Sequence, residues 1–125
     1  MTIKEALERI DGLKPNTYDS AEKIRWLTEL DARVHRELLM THAHGEDEKI
    51  FEGYTGETEP ETELLAIAPY DGMYLYYLES KIDYYNGEQG KFNNSAAMFN
   101  TAYADYANFV NRVRLPLCKQ EMRYF

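Results

Sequence analysis

The sequence predicts a mainly α protein, a small bundle of three to four helices with a long acidic loop or small hairpin between helices 2 and 3. Three observations predict it. Apolar residues recur at intervals of three and four along four stretches of the chain. Lys14-Pro15-Asn16, Asn86-Gly87 and Leu115-Pro116 punctuate those stretches. The length, 125 residues, suits one domain with one core, and no repeat of 20–50 residues divides it.

The first stripe is Ile3, Ala6, Leu7 and Ile10, a short helix over 2–11 that Gly12 ends and the Lys14-Pro15-Asn16 turn follows. Asp19 or Ser20 caps a second helix, with Glu22 at capping-box distance from Asp19. Its stripe is Ile24, Leu27, Leu30, Val34 and Leu38, and the pattern runs to about Met40. Trp26 falls off that stripe, as its edge or as a subunit contact. Ile50–Thr55 is a weak candidate for a small hairpin, and Leu64–Ala68 for an extended segment or docking strip. Pro69 opens a third helix through Tyr70, Met73, Tyr74, Tyr77, Leu78 and Ile82. This helix is apolar or aromatic nearly all round, so it is buried on several sides or faces another subunit. Asn86-Gly87 ends or bends it.

A fourth helix starts between Glu88 and Ser95, with Asn94 or Ser95 as its cap or inside it. Its face is Met98, Phe99, Ala102, Tyr103, Tyr106, Phe109, Val110 and Val113. Arg112 and Arg114 suit its negative terminus. The tail, 115–125, is too rich in large apolar groups for an inert end, and is expected to pack on the body or on a neighbour.

Charge is uneven. The net charge of -8 is carried by residues 1–63, and eight acids face one base, Lys49, within 46–63. That stretch reads as a flexible solvated loop, or as a flap that orders on a partner around Ile50, Phe51 and Tyr54. Without a basic patch, free nucleic acid is a poor partner. No run approaches 18 apolar residues, so no membrane span is expected, and the amphipathic N-terminus does not read as a signal peptide. A cytoplasmic protein, or one built into a larger assembly after synthesis there, is expected.

Eleven tyrosines stand in the chain. Tyr76-Tyr77 and Tyr84-Tyr85 cannot all point into one small core. Tyrosine offers large contact area with a polar tip, so subunit contact competes with core packing for them.

Chemistry is sparse. His35, His42 and His44 lie near Glu46, Asp47 and Glu48, but without a recognised metal-ligand spacing a solvated helix end is expected, and no metal. Asp71 suits the start of helix 3. Glu79 and Asp83 form a like-charge i,i+4 pair, a mild cost unless Lys81 or a neighbour offsets it. Cys118 has no histidine close in sequence and reads as an inert thiol. The glycines match no phosphate loop. No cofactor and no enzyme activity are expected.

One longer pattern remains. Pro69-Tyr70-Asp71, Tyr74, Tyr77-Leu78, Ile82-Asp83, Tyr85-Asn86-Gly87-Glu88, Phe92-Asn93-Asn94, Phe99-Asn100, Tyr103 and Tyr106 follow Trp26-Leu27 and Leu30-Asp31 of helix 2. Over roughly 15–115 the chain resembles the small head–tail connector (head-completion adaptor) proteins of tailed bacteriophages and prophages. It departs from them at the acidic stretch. The resemblance implies a mostly helical, non-enzymatic adaptor. Such a protein forms a ring beneath the portal protein, lines the DNA exit channel and joins tail or stopper proteins. It implies a place in the virion, and in the host cytoplasm during assembly.

On that basis Tyr74, Tyr77, Tyr84 and Tyr85 are candidate packing and subunit-contact residues. Asp83 and Glu88 are candidates to pair with Arg112 or Arg114. Leu117, Met122, Tyr124 and Phe125 are candidates for portal docking. Asn86, Asn93 and Asn94 look like local caps. Two alternatives stay open: another phage packaging accessory protein, and a small acidic regulator binding a basic partner.

Overall fold

A computed structural model of the chain describes residues 1–39 and 51–113. Four helices form: α1 (Ile3–Leu13), α2 (Ser20–Val34), α3 (Met73–Tyr85) and α4 (Gln89–Val113). No strand forms among the described residues beyond an isolated antiparallel bridge between Thr2 and Glu63. α3 is the central element. It packs on α1, α2 and α4, and its contact with α4 is the longest in the bundle.

α1 begins with a complete capping box. The Thr2 hydroxyl accepts the Glu5 amide, and the Thr2 amide donates to the Glu5 carboxylate. The helix continues past Gly12, the expected stop, to Leu13. Pro15 sets the end instead, because the residue before a proline is pushed out of helical conformation, and Lys14 is extended. The Lys14 amide still donates to the Ile10 carbonyl at 2.8 Å.

In α2 the Asp19 carboxylate accepts the Glu22 amide at 3.0 Å. The Glu22 carboxylate pairs with Arg25 at 3.1 Å. The buried face holds Leu27, Leu30, Val34 and Leu38 of the expected stripe and is wider than it. Lys23, Trp26, Leu27, Leu30, Asp31 and Val34 are buried, whereas Ile24 is only half-buried. Trp26 is thus the buried edge of the stripe, not a subunit contact. The helix widens into a π turn at His35–Leu39. Met40, the expected end, lies outside the described residues.

The acidic connection is tied to the bundle at two places. Backbone bonds join Ile3 to Thr62, Lys4 to Pro60 and Leu64 to Met1. Earlier in the connection, Tyr54 turns its amide and carbonyl to the Thr28 hydroxyl. The hairpin expected at Ile50–Thr55 is therefore absent from 51–55. Leu64 and Ala66 plug the core, so the 64–68 segment docks on its own bundle.

Tyr70–Gly72 form a 3-10 turn after Pro69 and lead into α3. α3 ends in a Schellman motif, with the Glu88 amide on the Asp83 carbonyl and the Gly87 amide on the Tyr84 carbonyl. Gly87 takes the required positive φ of 75°. α4 then runs back along α3 through Ser95, Phe99, Tyr103, Tyr106 and Val110. Met98 and Val113, expected on that face, are exposed. Ser95 is an interior residue of α4, not its cap.

Two carboxylates sit wholly inside. Asp83 of α3 takes Lys14 Nζ at 2.5 Å and the Ser95 hydroxyl at 2.9 Å. Among the described residues Asp31 of α2 takes three donors and no cation: Tyr74 Oη at 2.6 Å, Tyr54 Oη at 2.5 Å and the Leu65 amide at 3.1 Å. Each carboxylate joins elements far apart in sequence, so together they fix how helices and connection meet.

Candidate interaction surface

The sequence places paired aromatics at the last turn of α3, and the fold leaves them outward. Tyr84 and Tyr85 are 59% and 53% exposed. The Tyr85 ring stacks on Trp26 with centroids 5.7 Å apart and planes 7° from parallel. Tyr18 meets the same indole edge-on at 5.5 Å, and its hydroxyl donates to Asn86 at 2.8 Å. Tyr84 stands across Tyr85 at 5.1 Å and faces Phe92 of α4 at 5.5 Å. Rigid rings backed by a buried indole present apolar area at little entropic cost.

Behind Tyr84 an open groove of about 430 Å³ runs between α3 and α4, floored by Tyr77, Ser80, Ala96 and Phe99. Lys81 lines it too. Its ammonium lies 3.4 Å from Glu29 and 5.3 Å from the Tyr77 ring centroid. Burial pushes the Tyr77 hydroxyl above its ordinary value. A smaller hollow of about 200 Å³ lies by Pro69, Tyr70, Tyr76, Ala102 and Asp105. There Tyr70 stacks on Phe109 at 4.6 Å.

On the side of the bundle where α4 meets the π turn, Arg33 covers the Tyr103 ring at 4.2 Å and donates to Glu37 at 2.9 Å. The Tyr103 hydroxyl donates to the same Glu37 oxygen at 2.8 Å. These bonds, that from Tyr103 first, hold the Glu37 carboxyl below its ordinary range. A similar bond from the buried Lys23 ammonium does so for Asp11.

The expected site residues divide. Tyr84 and Tyr85 share one exposed patch with the half-buried Tyr77. Tyr74 does not belong there. It is fully buried, because its hydroxyl donates to Asp31 and accepts the Ala66 amide inside the bundle. Asp83 is likewise buried, and its cation is Lys14, not Arg112. Lys14 reaches it from the loop after α1. Glu88 pairs locally with Lys91 at 3.4 Å. Arg112 is exposed at the far end of α4.

Arg114, Leu117, Cys118, Met122, Tyr124 and Phe125 lie outside the described residues, as do His42 and His44. His35 lies against Phe51, ring centroids 6.2 Å apart. Among the described residues no group of three or more His, Cys, Asp or Glu side chains is placed to hold a metal ion. Asp71, expected at the helix start, lies 3.2 Å from the Met1 nitrogen. Lys14 also lies 3.7 Å from Glu79, so it offsets the Glu79–Asp83 repulsion, a role weighed for Lys81 or a neighbour. Asn86 caps α3 through its backbone, whereas Asn93 and Asn94 are inside α4.

Sequence periodicity missed the Trp26 platform and the Asp31 centre. Their signal was the i,i+1 pairs Trp26-Leu27 and Leu30-Asp31, which widen the buried stripe by one position each.

No helix among the described residues is long and apolar enough to cross a membrane. The described residues form a small bundle of four helices with an aromatic patch beside an open groove. Comparison with protein-family models, curated proteins and solved structures finds no match in any of the three.

Proposed function

We propose that the protein is a non-enzymatic structural adaptor of a tailed-phage head–tail connector. It joins a ring beneath the portal protein, lines the DNA exit channel and offers a platform to tail or stopper proteins. The observation that carries the proposal is the exposed Tyr84–Tyr85 pair, with Tyr85 stacked on Trp26 and Tyr18 edge-on to the same indole. Contiguous aromatic area left to water suits a surface that a neighbouring subunit covers. The connector-like pattern along Pro69–Tyr106 supports it from the sequence. The net charge of -8 suits a channel through which DNA passes without specific binding.

In this proposal Tyr77, Tyr84 and Tyr85 meet the neighbouring subunit. Leu117, Met122, Tyr124 and Phe125 dock to the portal. The protein works in the virion, after assembly in the host cytoplasm.

The test is co-elution with the portal protein encoded in the same genome, followed by mass determination of the complex. A defined multi-copy assembly on an intact portal ring is the expected result. No binding at high concentration to that intact ring overturns the proposal.

A further inference from the structure

The groove between α3 and α4 is built from rings of both helices, Tyr77 and Tyr84 from α3 and Phe92 and Phe99 from α4. α2 does not close it. Among the described residues α2 packs on α3 and not on α4, and only the π turn after α2 reaches α4. Acids flank the groove. Glu29 on the α2 side meets Lys81 through Oε2, and Glu88 in the turn from α3 to α4 meets Lys91 through Oε2. Both glutamate side chains stay open to water, at 45% and 44% exposed.

Twelve residues, 114–125, follow α4 in the sequence. Five of them are large and apolar: Leu115, Leu117, Met122, Tyr124 and Phe125. Their charge is opposite to that of the rest of the chain. Arg114, Lys119 and Arg123 stand against one acid, Glu121, for a net charge of +2, whereas residues 1–113 carry -10. An aromatic groove flanked by carboxylates complements an apolar, basic segment on both counts. The reach is sufficient. α4 ends at Val113, about 21 Å along the helix from Phe99 and about 32 Å from Phe92 at 1.5 Å per residue. Twelve extended residues span up to about 40 Å. A residue before proline is disfavoured in helical conformation, so Leu115-Pro116 suits a reversal of the chain there.

We propose that the α3–α4 groove is the docking site of the chain's own segment 115–125, which folds back along α4. Its apolar side chains cover Tyr77, Tyr84, Phe92 and Phe99, and its bases lie toward Glu29 and Glu88. The segment runs opposite to α4, so Leu117 and Cys118 lie toward Phe99, and Met122, Tyr124 and Phe125 toward Phe92. This seat needs no partner and is independent of the connector proposal. One consequence rests on that proposal: the segment cannot hold its own groove and the portal at once, so portal docking would uncover the groove beside Tyr84 and Tyr85.

Cys118 is the sole cysteine, so a nitroxide attached to it reports the position of the segment in the full, free chain. Expected is a loss of amide NMR signal that reaches Lys81, Tyr84 and Ala96 and returns when the label is reduced. Signal loss confined to the Val113 end of α4, at Tyr70 and Phe109, overturns the proposal. So does signal loss in an unlabelled, ¹⁵N-enriched chain mixed with the spin-labelled one, which would seat the segment on a second copy. A second measurement needs no label. Met122→Asp with Phe125→Asp changes only the segment, so α1 amides such as Glu8 should keep their shifts while those of Lys81, Tyr84 and Ala96 move. Unmoved groove amides overturn the proposal. Because no portal is present, either failure leaves the connector reading to its own co-elution test.

Discussion

Lys14 Nζ lies 2.5 Å from Asp83 Oδ1, joining the loop after α1 to a buried carboxylate in the last turn of α3. The Asp83 side chain is 1% exposed and that of Lys14 is 21%, so the carboxylate is inside and its cation reaches it from the edge. Ser95 supplies the second bond from α4. Three elements distant in sequence thus converge on one side chain.

Removing the cation should be costly, because the carboxylate would stay buried with only a hydroxyl. Lys14→Met is expected to destabilise by roughly 2–3 kcal/mol, below the range for wholly enclosed pairs because Lys14 touches solvent. Ser95→Ala should cost about 1–2 kcal/mol, as for a hydrogen bond to a charged acceptor. Urea unfolding should show lower midpoints with unchanged slopes. A Lys14→Met midpoint equal to the wild type would mean that the pair does not hold the bundle.

The four helices were legible because each carries its own period and stops. Ile3, Ala6 and Ile10, or Phe99, Tyr103 and Tyr106, announce a face with no knowledge of the partner. The Asn86-Gly87 turn is equally local, since the Schellman bonds span six residues. Asp83, Asp31 and Lys23 were not legible as inside residues. A charged side chain reads as surface until a partner distant in sequence satisfies it. Asp31 finds Tyr54, Leu65 and Tyr74, and Lys23 finds Asp11. The candidate surface was half legible for the same reason. Tyr84-Tyr85 stood out as too aromatic for one core, but Tyr74 looked equivalent until the Asp31 and Ala66 bonds placed it within.

Glu37 offers a pH test with a definite sign. Its bonds from Tyr103 and Arg33 hold its folded-state value low. Its stabilising contribution is therefore present above the ordinary carboxylate value and lost as pH falls through the lowered one. Tyr103→Phe should move the Glu37 carboxyl ¹³C titration upward, toward the ordinary value. The stability deficit of the variant should shrink as the pH drops through the acid range. An unmoved Glu37 midpoint would show that the Tyr103 hydroxyl does not bond it in solution.

Trp26 is the sole tryptophan, so its fluorescence reports the base of the aromatic patch. Tyr85→Ala strips the stacked ring from an otherwise buried indole. A red-shifted emission and a loss of about 1 kcal/mol beyond the area effect are expected. Tyr84→Ala leaves the indole covered and should leave the emission in place. If both rings face a neighbouring subunit, the double variant should fold yet fail to assemble. Unchanged stability together with unchanged assembly would remove the pair from the interface.

Gly53 has a positive φ of 87°, and a Cβ built there would come 2.9 Å from Thr28 Cγ2. Two costs are superposed in Gly53→Ala, and a second substitution separates them. The backbone cost, about 1–2 kcal/mol for a left-handed non-glycine residue, remains whatever Thr28 becomes. The steric cost depends on one methyl group. Thr28→Ser deletes that methyl but keeps the hydroxyl that accepts the Tyr54 amide and donates to its carbonyl. Gly53→Ala should therefore cost less in the Thr28→Ser background, with a coupling of roughly 0.5–1 kcal/mol in a double-mutant cycle. Strict additivity would mean that the connection shifts enough to accept the new methyl. A coupling as large as the whole Gly53→Ala effect would mean that the backbone relaxes out of the left-handed region, and that contact with Thr28 alone requires glycine.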